Sequence, residues 1–446
     1  MESQRESFGP CGVITQVIPN PDNYRQGPEL ENSLPIGDKG CVFCGTKLQH
    51  TFVDLGMSPL CESYVSRDQL NKMEPFYPLH AYVCSSCFLV QLDEYVSPDQ
   101  IFTEYAYFSS YADSWVQHMK KYADMITGRL HLDARSLVVE LASNDGYLLQ
   151  HFVAQGIPVL GVEPAANIAK VAVGKGIPTL VKFFGEKTAR EMVAEGKSAD
   201  LVCGANVLAQ VPNVNDFVKG IKIILKPEGV VTIEFPHLMR LIAENQFDTI
   251  YHEHFSYFSL ITVEKIFAAH GMTLFDVEEV PTHGGSLRIY GCHSEATTRP
   301  VGERIVELRR REIDAGFTQI EQYSTFGEKV KQTKHKLLDF LIHAKRDGKT
   351  IAGYGAPGKG NTLLNYCGIR SDFIDFTVDR NTYKQGKFLP GTHIPIYDPE
   401  AIRRMKPDYV LILPWNFKDE IMDQISYIRE WGAKFVVPIP EVKVFS

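Results

Sequence analysis

At 446 residues, 44% of them hydrophobic and 22% charged, the chain has the composition and length of two or three globular domains, which excludes wholesale disorder. Its 54 acidic side chains outnumber its 46 basic ones, and the net charge of -8 argues against sequence-blind binding to nucleic acid. No apolar run approaches the ~20 residues that span a bilayer, and the opening MESQRESFGPCG lacks a basic-then-apolar signal pattern, so a cytoplasmic protein without a membrane partner is expected.

Residues 1–38 carry Pro10, Pro19, Pro21, Pro28 and Pro35 without a sustained apolar period and read as an extended leader. Residues 39–100 hold short alternating segments such as YPLHAYVC and FLVQL, which predict a few strands too small to bury a core unaided. From Tyr105 to about Leu130 the aromatics Tyr111, Trp115, His118 and Tyr122 recur at helical steps. The segments SLVVELA, PVLGVEP, PTLVK, ADLVCGANVL and GVVTIEF then alternate with helical stretches and predict a parallel, doubly wound α/β sheet within residues 101–300. A second α/β series, TIAGYGA, FTVD, DYVLILP and WGAKFVVPIP, fills residues 301–446. Two open sheets imply two ligand crevices.

Nine cysteines without a secretion signal should be reduced thiols or metal ligands. Cys41-Val-Phe-Cys44 and Cys84-Ser-Ser-Cys87 are two C-x-x-C knuckles, each able to bring two thiolates to one metal. Four sulfurs close the shell and leave no position for water, so the metal would be structural and would staple the small strands. Cys11, Cys61, Cys203, Cys292 and Cys367 lack such pairing and read as ordinary thiols.

The segment Val138–Leu149 runs from an apolar strand into a small polar turn and then a helix, with Glu140, Ala142, Asn144, Asp145 and Gly146 as candidate ligand residues. A single glycine disfavours a dinucleotide fingerprint and points to a nucleoside without phosphates, against the alternative of a scaffold with no cofactor. One strand later, Glu163 ends Gly-Val-Glu-Pro where a carboxylate can accept from both ribose hydroxyls. Asn206 ends the ADLVCGANVL strand and would wall the same crevice.

The densest chemical run is Tyr251-His252-Glu253-His254-Phe255-Ser256-Tyr257-Phe258-Ser259. It can supply a general base, an orienting carboxylate and phenol donors for an oxyanion; a solvated loop is the bland alternative. Two histidines two residues apart do not share a helix face, which argues against a metal here. Further on, Gly353-Tyr354-Gly355-Ala356-Pro357-Gly358-Lys359-Gly360-Asn361 links a strand to a helix and can bind a diphosphate through backbone amides and Lys359. Its glycines also spell G-x-G-x-x-G, and Asp379 ends a later strand where a ribose ligand sits, so a nicotinamide oxidoreductase stands as an alternative. Arg288 and Lys387 are further candidate phosphate partners.

The motifs CVFCG with VCSSC, ELASNDGYLL, ANVLAQVPN, FDTIYHEHFSYFS, THGGSLR, GYGAPGKGNTLLNY, DRNTYKQGKFLPGTHIPI and LPWN together carry a resemblance. From about Cys41 to the C-terminus the chain resembles the sugar C-methyltransferases of deoxysugar biosynthesis, especially NDP-4-keto-2,6-dideoxyhexose 3-C-methyltransferases of antibiotic-sugar pathways. The resemblance implies a zinc-binding N-terminal domain, a central Rossmann-like S-adenosylmethionine domain and a C-terminal Rossmann-like α/β domain that holds the nucleotide sugar. It implies zinc on Cys41, Cys44, Cys84 and Cys87, His254 as base beside Tyr251 and Glu253, and a substrate tyrosine at Tyr107 or Tyr105. Glu253 is then expected to hold the imidazole tautomer, and Tyr251 or Tyr107 to donate to an enolate. Gln210, a candidate substrate contact, stands where the family commonly has a histidine; it can hydrogen-bond but cannot titrate near neutral pH. An O- or N-methyltransferase, or an inactive zinc-bearing scaffold, are the other readings, and a monomer or weak oligomer is expected.

Overall fold

The computed structural model describes residues 39–102, 108–296 and 298–446. The leader and both candidate tyrosines, Tyr105 and Tyr107, lie outside the described residues. Among the described residues no helix is long and apolar enough to cross a membrane.

Strands β1 (His50–Ser58), β2 (Tyr77–Val83) and β3 (Val90–Leu92) pair antiparallel. On β2 the side chains of Leu79, Ala81 and Val83 are buried and alternate with partly exposed neighbours, the two-residue period of a half-buried sheet. That face does not close on itself. Phe52 of β1 stacks on Phe326 at 4.5 Å and 7°, at the start of the helix Phe326–Arg346, and one apolar core runs from Phe52 and Leu79 through Leu337 to Ile351 and Phe435. Cys41, Cys84, Cys87 and Leu89, at the other end, share a second core with Val139, Phe217 and Ile233. The small strands are therefore stapled twice, by their cysteines and by burial against both larger sheets.

Five strands separated by helices follow: β4 (Val138–Leu141), β5 (Val159–Val162), β6 (Thr179–Leu180), β7 (Ala199–Ala205) and β8 (Leu225–Pro236), all parallel. Next, β9 (Ser256–Tyr257) crosses to the first sheet, pairing Val90 with Tyr257 and Gln91 with Ser256. Strands β10 (Met272–Val280) and β11 (Ser286–His293) return as a hairpin, giving the order β10-β11-β8-β7-β4-β5-β6. The five strands read from the sequence are parallel as expected, and the hairpin adds β11, which runs antiparallel to both neighbours. A short turn between β10 and β11 leaves no length for a crossover, and a hairpin forces that direction. Neighbours β5 and β7 on opposite sides of β4 create a switch point, so the loops after β4, β5 and β7 open into one crevice.

The third sheet comprises β12 (Ile351–Tyr354), β13 (Phe376–Val378), β14 (Ile396–Tyr397), β15 (Tyr409–Ile412), β16 (Lys434–Val437) and β17 (Lys443–Phe445), in the order β14-β13-β12-β15-β16-β17. Only β17 is antiparallel. Its switch point lies at β12, beside the loops 355–359 and 413–417.

The helix Asp113–Leu130 is shorter than the sequence period predicts. Trp115, Met119, Tyr122, Ala123 and Ile126 form its buried stripe, whereas Tyr111 sits in the preceding turn and is exposed.

Candidate functional site

The chain around Cys41 and Cys44 folds into a tight knuckle in which Cys41 N–H donates to Thr46 O at 2.8 Å and Gly45 N–H to Cys41 O at 2.9 Å. In the second knuckle Ser86 N–H donates to Cys84 Sγ at 3.4 Å, and Phe88 N–H to Cys84 O at 3.0 Å. The four Sγ atoms lie within 4.8 Å of one another, with Cys41–Cys87 and Cys44–Cys84 both at 3.5 Å. None is in a disulfide. Tetrahedral zinc with Zn–S near 2.3 Å needs thiolates roughly 3.8 Å apart, so this donor set fits zinc and offers no open position.

Many of the candidate residues line one cavity of about 500 Å³. Ala142, Asn144, Tyr147, Glu163, Asn206 and Gln210 line its β4–β7 side. Glu163 is nearly buried, and its two carboxylate oxygens accept from Asn144 N–H and Ala165 N–H, both at 2.9 Å. Burial pushes its pKa up while those amides pull it down. Asn144 Oδ1 accepts from Ser109 N–H at 2.9 Å, which ties the loop to the segment before the Asp113 helix. Glu140, Asp145 and Gly146 do not line the cavity. Glu140 is fully buried, which pushes its carboxyl well above the usual range; Asp145 pairs with Lys175 at 3.2 Å; Gly146 packs against Ile177. These three shape the loop from beneath.

On the facing wall stand Tyr251, Glu253 and His254. Asp248 anchors the preceding turn by accepting from Trp415 Nε1–H at 2.7 Å, and Phe255 N–H donates to Ala209 O at 2.7 Å. His254 Nδ1 lies 3.2 Å from Thr249 O, a bond that places the proton on Nδ1 and leaves Nε2 as the basic nitrogen. Glu253 was expected to hold this tautomer. The Thr249 carbonyl holds it instead, and Glu253 Oε1 accepts from the Cys61 thiol at 3.5 Å. The Tyr251 ring lies 4.1 Å from that of His254. His252 turns away, its Nε2 3.1 Å from Pro78 O, and is a packing residue.

The third wall comes from the C-terminal sheet: Pro357, Gly358, Lys359, Lys384 and Asn416. Lys359 Nζ donates to Asn416 Oδ1 at 2.9 Å and lies 4.7 Å over the Trp415 ring, and burial lowers its pKa. Lys384 Nζ donates to Ala356 O at 2.9 Å with Glu62 at 3.5 Å. The helix Gly358–Cys367 starts at this wall, and Thr362 Oγ1 donates to Ile250 O at 3.0 Å, joining the helix to the turn before Tyr251. Added Cβ atoms at Gly353, Gly355 and Gly358 would meet Thr377 at 2.7 Å, Pro414 at 2.6 Å and Cys61 at 2.8 Å. Protein packing thus accounts for the G-x-G-x-x-G spacing that suggested a nicotinamide.

Several sequence candidates lie outside the cavity lining. Tyr354 Oη donates to Gln424 Oε1 at 3.3 Å, and Asn361 Nδ2 donates to Cys61 O at 2.6 Å. Asp379 accepts from Ala356 N–H at 2.7 Å and Asn381 N–H at 2.8 Å, shaping the loop. Lys387 sits over the Tyr383 ring. Arg288 is corrected outright as a free phosphate partner: it is buried, pairs with Glu234 at 2.7 Å and Glu278 at 3.2 Å, and stacks over Tyr122. Its charge is already balanced. Sequence reading missed Cys61, Lys384 and His283 in the lining.

Residues 41–102 match the model of a proposed zinc-binding domain, residues 115–277 a methyltransferase domain, and residues 281–440 the C-methyltransferase C-terminal domain. The C-methyltransferase NovU of Streptomyces niveus is 37% identical over 406 residues, covering 91% of this chain and 96% of that protein. The chain belongs to the C-methyltransferase family. It is an S-adenosylmethionine-dependent C-methyltransferase with a zinc-binding amino-terminal domain. Solved structures resemble it only slightly: PH0226 protein from Pyrococcus horikoshii OT3 is 16% identical, with 45% of this chain and 99% of that chain covered at a TM-score of 0.35. The magnesium protoporphyrin IX methyltransferase of Synechocystis PCC 6803 with bound SAM is 14% identical, with 41% and 82% covered at a TM-score of 0.31.

In this C-methyltransferase, burial and the mutual repulsion of cations depress both cavity imidazoles, His254 to about 3 and His283 to about 4. Both are neutral when folded and take up protons near pH ~6.5 when unfolded, so the unfolded state gains protons first as pH falls. Their contribution to stability is therefore full above that pH and is lost on the way down toward pH ~4. Asp248, pushed to about 6 by burial, and Glu140, pushed well above its usual range, act in the opposite sense, so the imidazole pair is read as a difference. Between pH 6.5 and 5 the urea midpoint is expected to fall further, or rise less, in the unaltered protein than in the His254→Asn, His283→Asn double variant. Equal slopes for the two proteins would refute the assignment.

Proposed function

We propose that the methyl acceptor is an NDP-linked 4-keto-deoxysugar, methylated at C-3. The observation that carries this reading is that one cavity joins the Asn144–Glu163 loops, the His254 imidazole and the cationic wall of Lys359 and Lys384. A ketone-bearing sugar on a diphosphate needs those three chemistries in that succession: a methyl-donor nucleoside site, a base and a phosphate site. The motif resemblance points to the same substrate class.

Glu163 is placed to accept from the ribose hydroxyls of S-adenosylmethionine, since each carboxylate oxygen keeps a lone pair after binding one backbone amide. Val162, Phe183, Val207 and Phe217 give the adenine an apolar wall, with Asn144 and Asn206 beside it. Lys359, Lys384 and the first amides of the Gly358–Cys367 helix face the diphosphate. His254 Nε2 takes the proton from the carbon next to the ketone, and Tyr251 closes the pocket against its ring. S-adenosylmethionine supplies a sulfonium-bound methyl: the new C–C bond takes the carbanion pair as the C–S pair returns to sulfur. The protein's remaining contribution is orientation and exclusion of water.

Glu163→Ala is expected to weaken methyl-donor binding by about 10–100-fold, the loss of hydrogen bonds to a charged group, measured by calorimetry. Unchanged affinity would remove Glu163 from the site. The acceptor is tested by incubating the protein with labelled methyl donor and a panel of NDP-4-keto sugars, and locating the new methyl by NMR. Transfer only to other acceptors, or to oxygen or nitrogen, would overturn the reading.

A further inference from the structure

His254 is one of two imidazoles in the cavity wall, and the second, His283, has been given no task. His283 sits at the tip of the β10–β11 hairpin with φ 53°, in the left-handed region that non-glycine residues rarely adopt. Ala142, Asn144 and Asn206 share this conformation, so four of the nine left-handed non-glycine residues among the described residues line this one cavity. Such backbone is strained and persists only where surroundings over-determine it.

The surroundings of His283 do so. Thr282 Oγ1 donates to Glu234 Oε1 at 2.7 Å, and Glu234 is itself fixed by Arg288 at 2.7 Å and His118 at 3.0 Å. On the other side Gln246 Nε2 donates to Gly284 O at 2.7 Å, and a Cβ at Gly284 would lie 2.7 Å from Trp415. The imidazole packs against Trp115 with centroids 5.1 Å apart. Asn206 Nδ2 donates to His283 Nε2 at 2.7 Å, which places the imidazole proton on Nδ1. The described residues give Nδ1 no hydrogen bond, and it is not among the sealed-off polar atoms, so it opens on the cavity.

We propose that His283 is a second catalytic imidazole, whose Nδ1–H donates to the substrate's carbonyl oxygen and holds the enolate formed when His254 removes the neighbouring proton. This rests on the ketone reading above. The C–H bond breaks with its proton going to His254 Nε2; its electron pair forms the C=C bond, and the carbonyl π pair moves to the oxygen facing His283. The oxygen pair then re-forms the carbonyl as the C=C pair makes the new bond to the methyl group, whose bond to sulfur breaks with its pair leaving on sulfur. A neutral imidazole, rather than an imidazolium, suits this donor role, as the histidine electrophile of triosephosphate isomerase shows. Burial, with the Lys359 charge nearby, keeps His283 neutral.

The test compares His283→Ala, which deletes the donor, with His283→Asn, whose amide N–H falls near the position of Nδ1 and whose backbone tolerates φ > 0. Expected are a loss of about 10²–10³ in kcat for alanine, the range for one oxyanion donor, and recovery of at least about tenfold for asparagine. KM and methyl-donor affinity should stay within about threefold. Infrared difference spectra of the bound ketone should show a lowered C=O stretch in the unaltered protein that reverts in His283→Ala. A kcat unchanged in His283→Ala overturns the proposal, as does asparagine no better than alanine with an unshifted carbonyl. Should His283→Ala fail to fold, the bound C=O frequency in the unaltered protein decides alone: unshifted, it overturns the proposal. An unaltered protein that methylates no NDP-4-keto sugar sinks the acceptor reading and this proposal together, whereas turnover insensitive to His283 sinks this one alone.

Discussion

His254→Asn is expected to lower kcat for methyl transfer by about 10²–10⁴, the usual worth of a positioned general base, with methyl-donor affinity within about threefold of the unaltered protein. The geometry gives the reason. Thr249 O holds Nδ1–H, so Nε2 is the only nitrogen of this ring free to accept a proton, and asparagine presents no basic atom there. In the free protein, burial holds the ring near 3, with His283 and Lys359 adding repulsion. A diphosphate bound against Lys359 would cancel part of that repulsion and raise the basicity of His254 when the substrate is in place. The acid limb of kcat is therefore expected at higher pH than that of kcat/KM, because the former reports the complex and the latter the free protein. Deuterium wash-in at the sugar carbon, followed with S-adenosylhomocysteine in the donor site, isolates proton removal from methyl transfer. Exchange undiminished in His254→Asn would rule this imidazole out as the base.

The sequence carries the cysteine quartet and the order of strands and helices openly, because C-x-x-C spacing and apolar periodicity are local signals. It does not carry partners that arrive from far along the chain. Arg288 reads as a free cation in THGGSLR, yet β11 lies beside β8 and sets it against Glu234, 54 residues earlier. Glu140 and Asp145 read as loop acids offered to a ligand, yet one is sealed under the loop and the other answers Lys175. Asn361 and Asp379 read as ligand groups and instead tie backbone to backbone. Conversely, His283 and Lys384 look like incidental residues of a turn and a loop, and become cavity walls only when the hairpin and the third sheet converge on the His254 run. Antiparallel β11 escaped notice because alternation predicts a strand without its direction.

Removing the metal, or substituting Cys84→Ala, is expected to abolish methyl transfer by more than about 100-fold and to lower Tm by tens of degrees, since metal-site free energies of order 10 kcal/mol rival the ~5–15 kcal/mol net stability of a domain. The loss of activity follows from where the knuckles attach. Val42 N–H donates to Gln91 Oε1 at 2.9 Å, and Gln91 lies on β3, which pairs with Ser256 and Tyr257, two and three residues beyond His254. Thr262 Oγ1 donates to Cys87 O at 3.2 Å, and Asn215 Nδ2 donates to Phe43 O at 2.9 Å, so the same knuckles also brace the helices behind the methyl-donor sheet. Without a cation the thiols take up protons and lose the ligand bonds that hold the two knuckles together, which frees these attachments and lets β9, and with it His254, leave register. The loop at Asn144 and Glu163 rests on β4 and β5, which make no strand pairing with the small sheet, so methyl-donor binding should outlast turnover as chelator is titrated. Following zinc content, donor affinity and kcat in one titration separates these effects. Full kcat in metal-free protein would show that the cysteine quartet plays no part in holding the base in place.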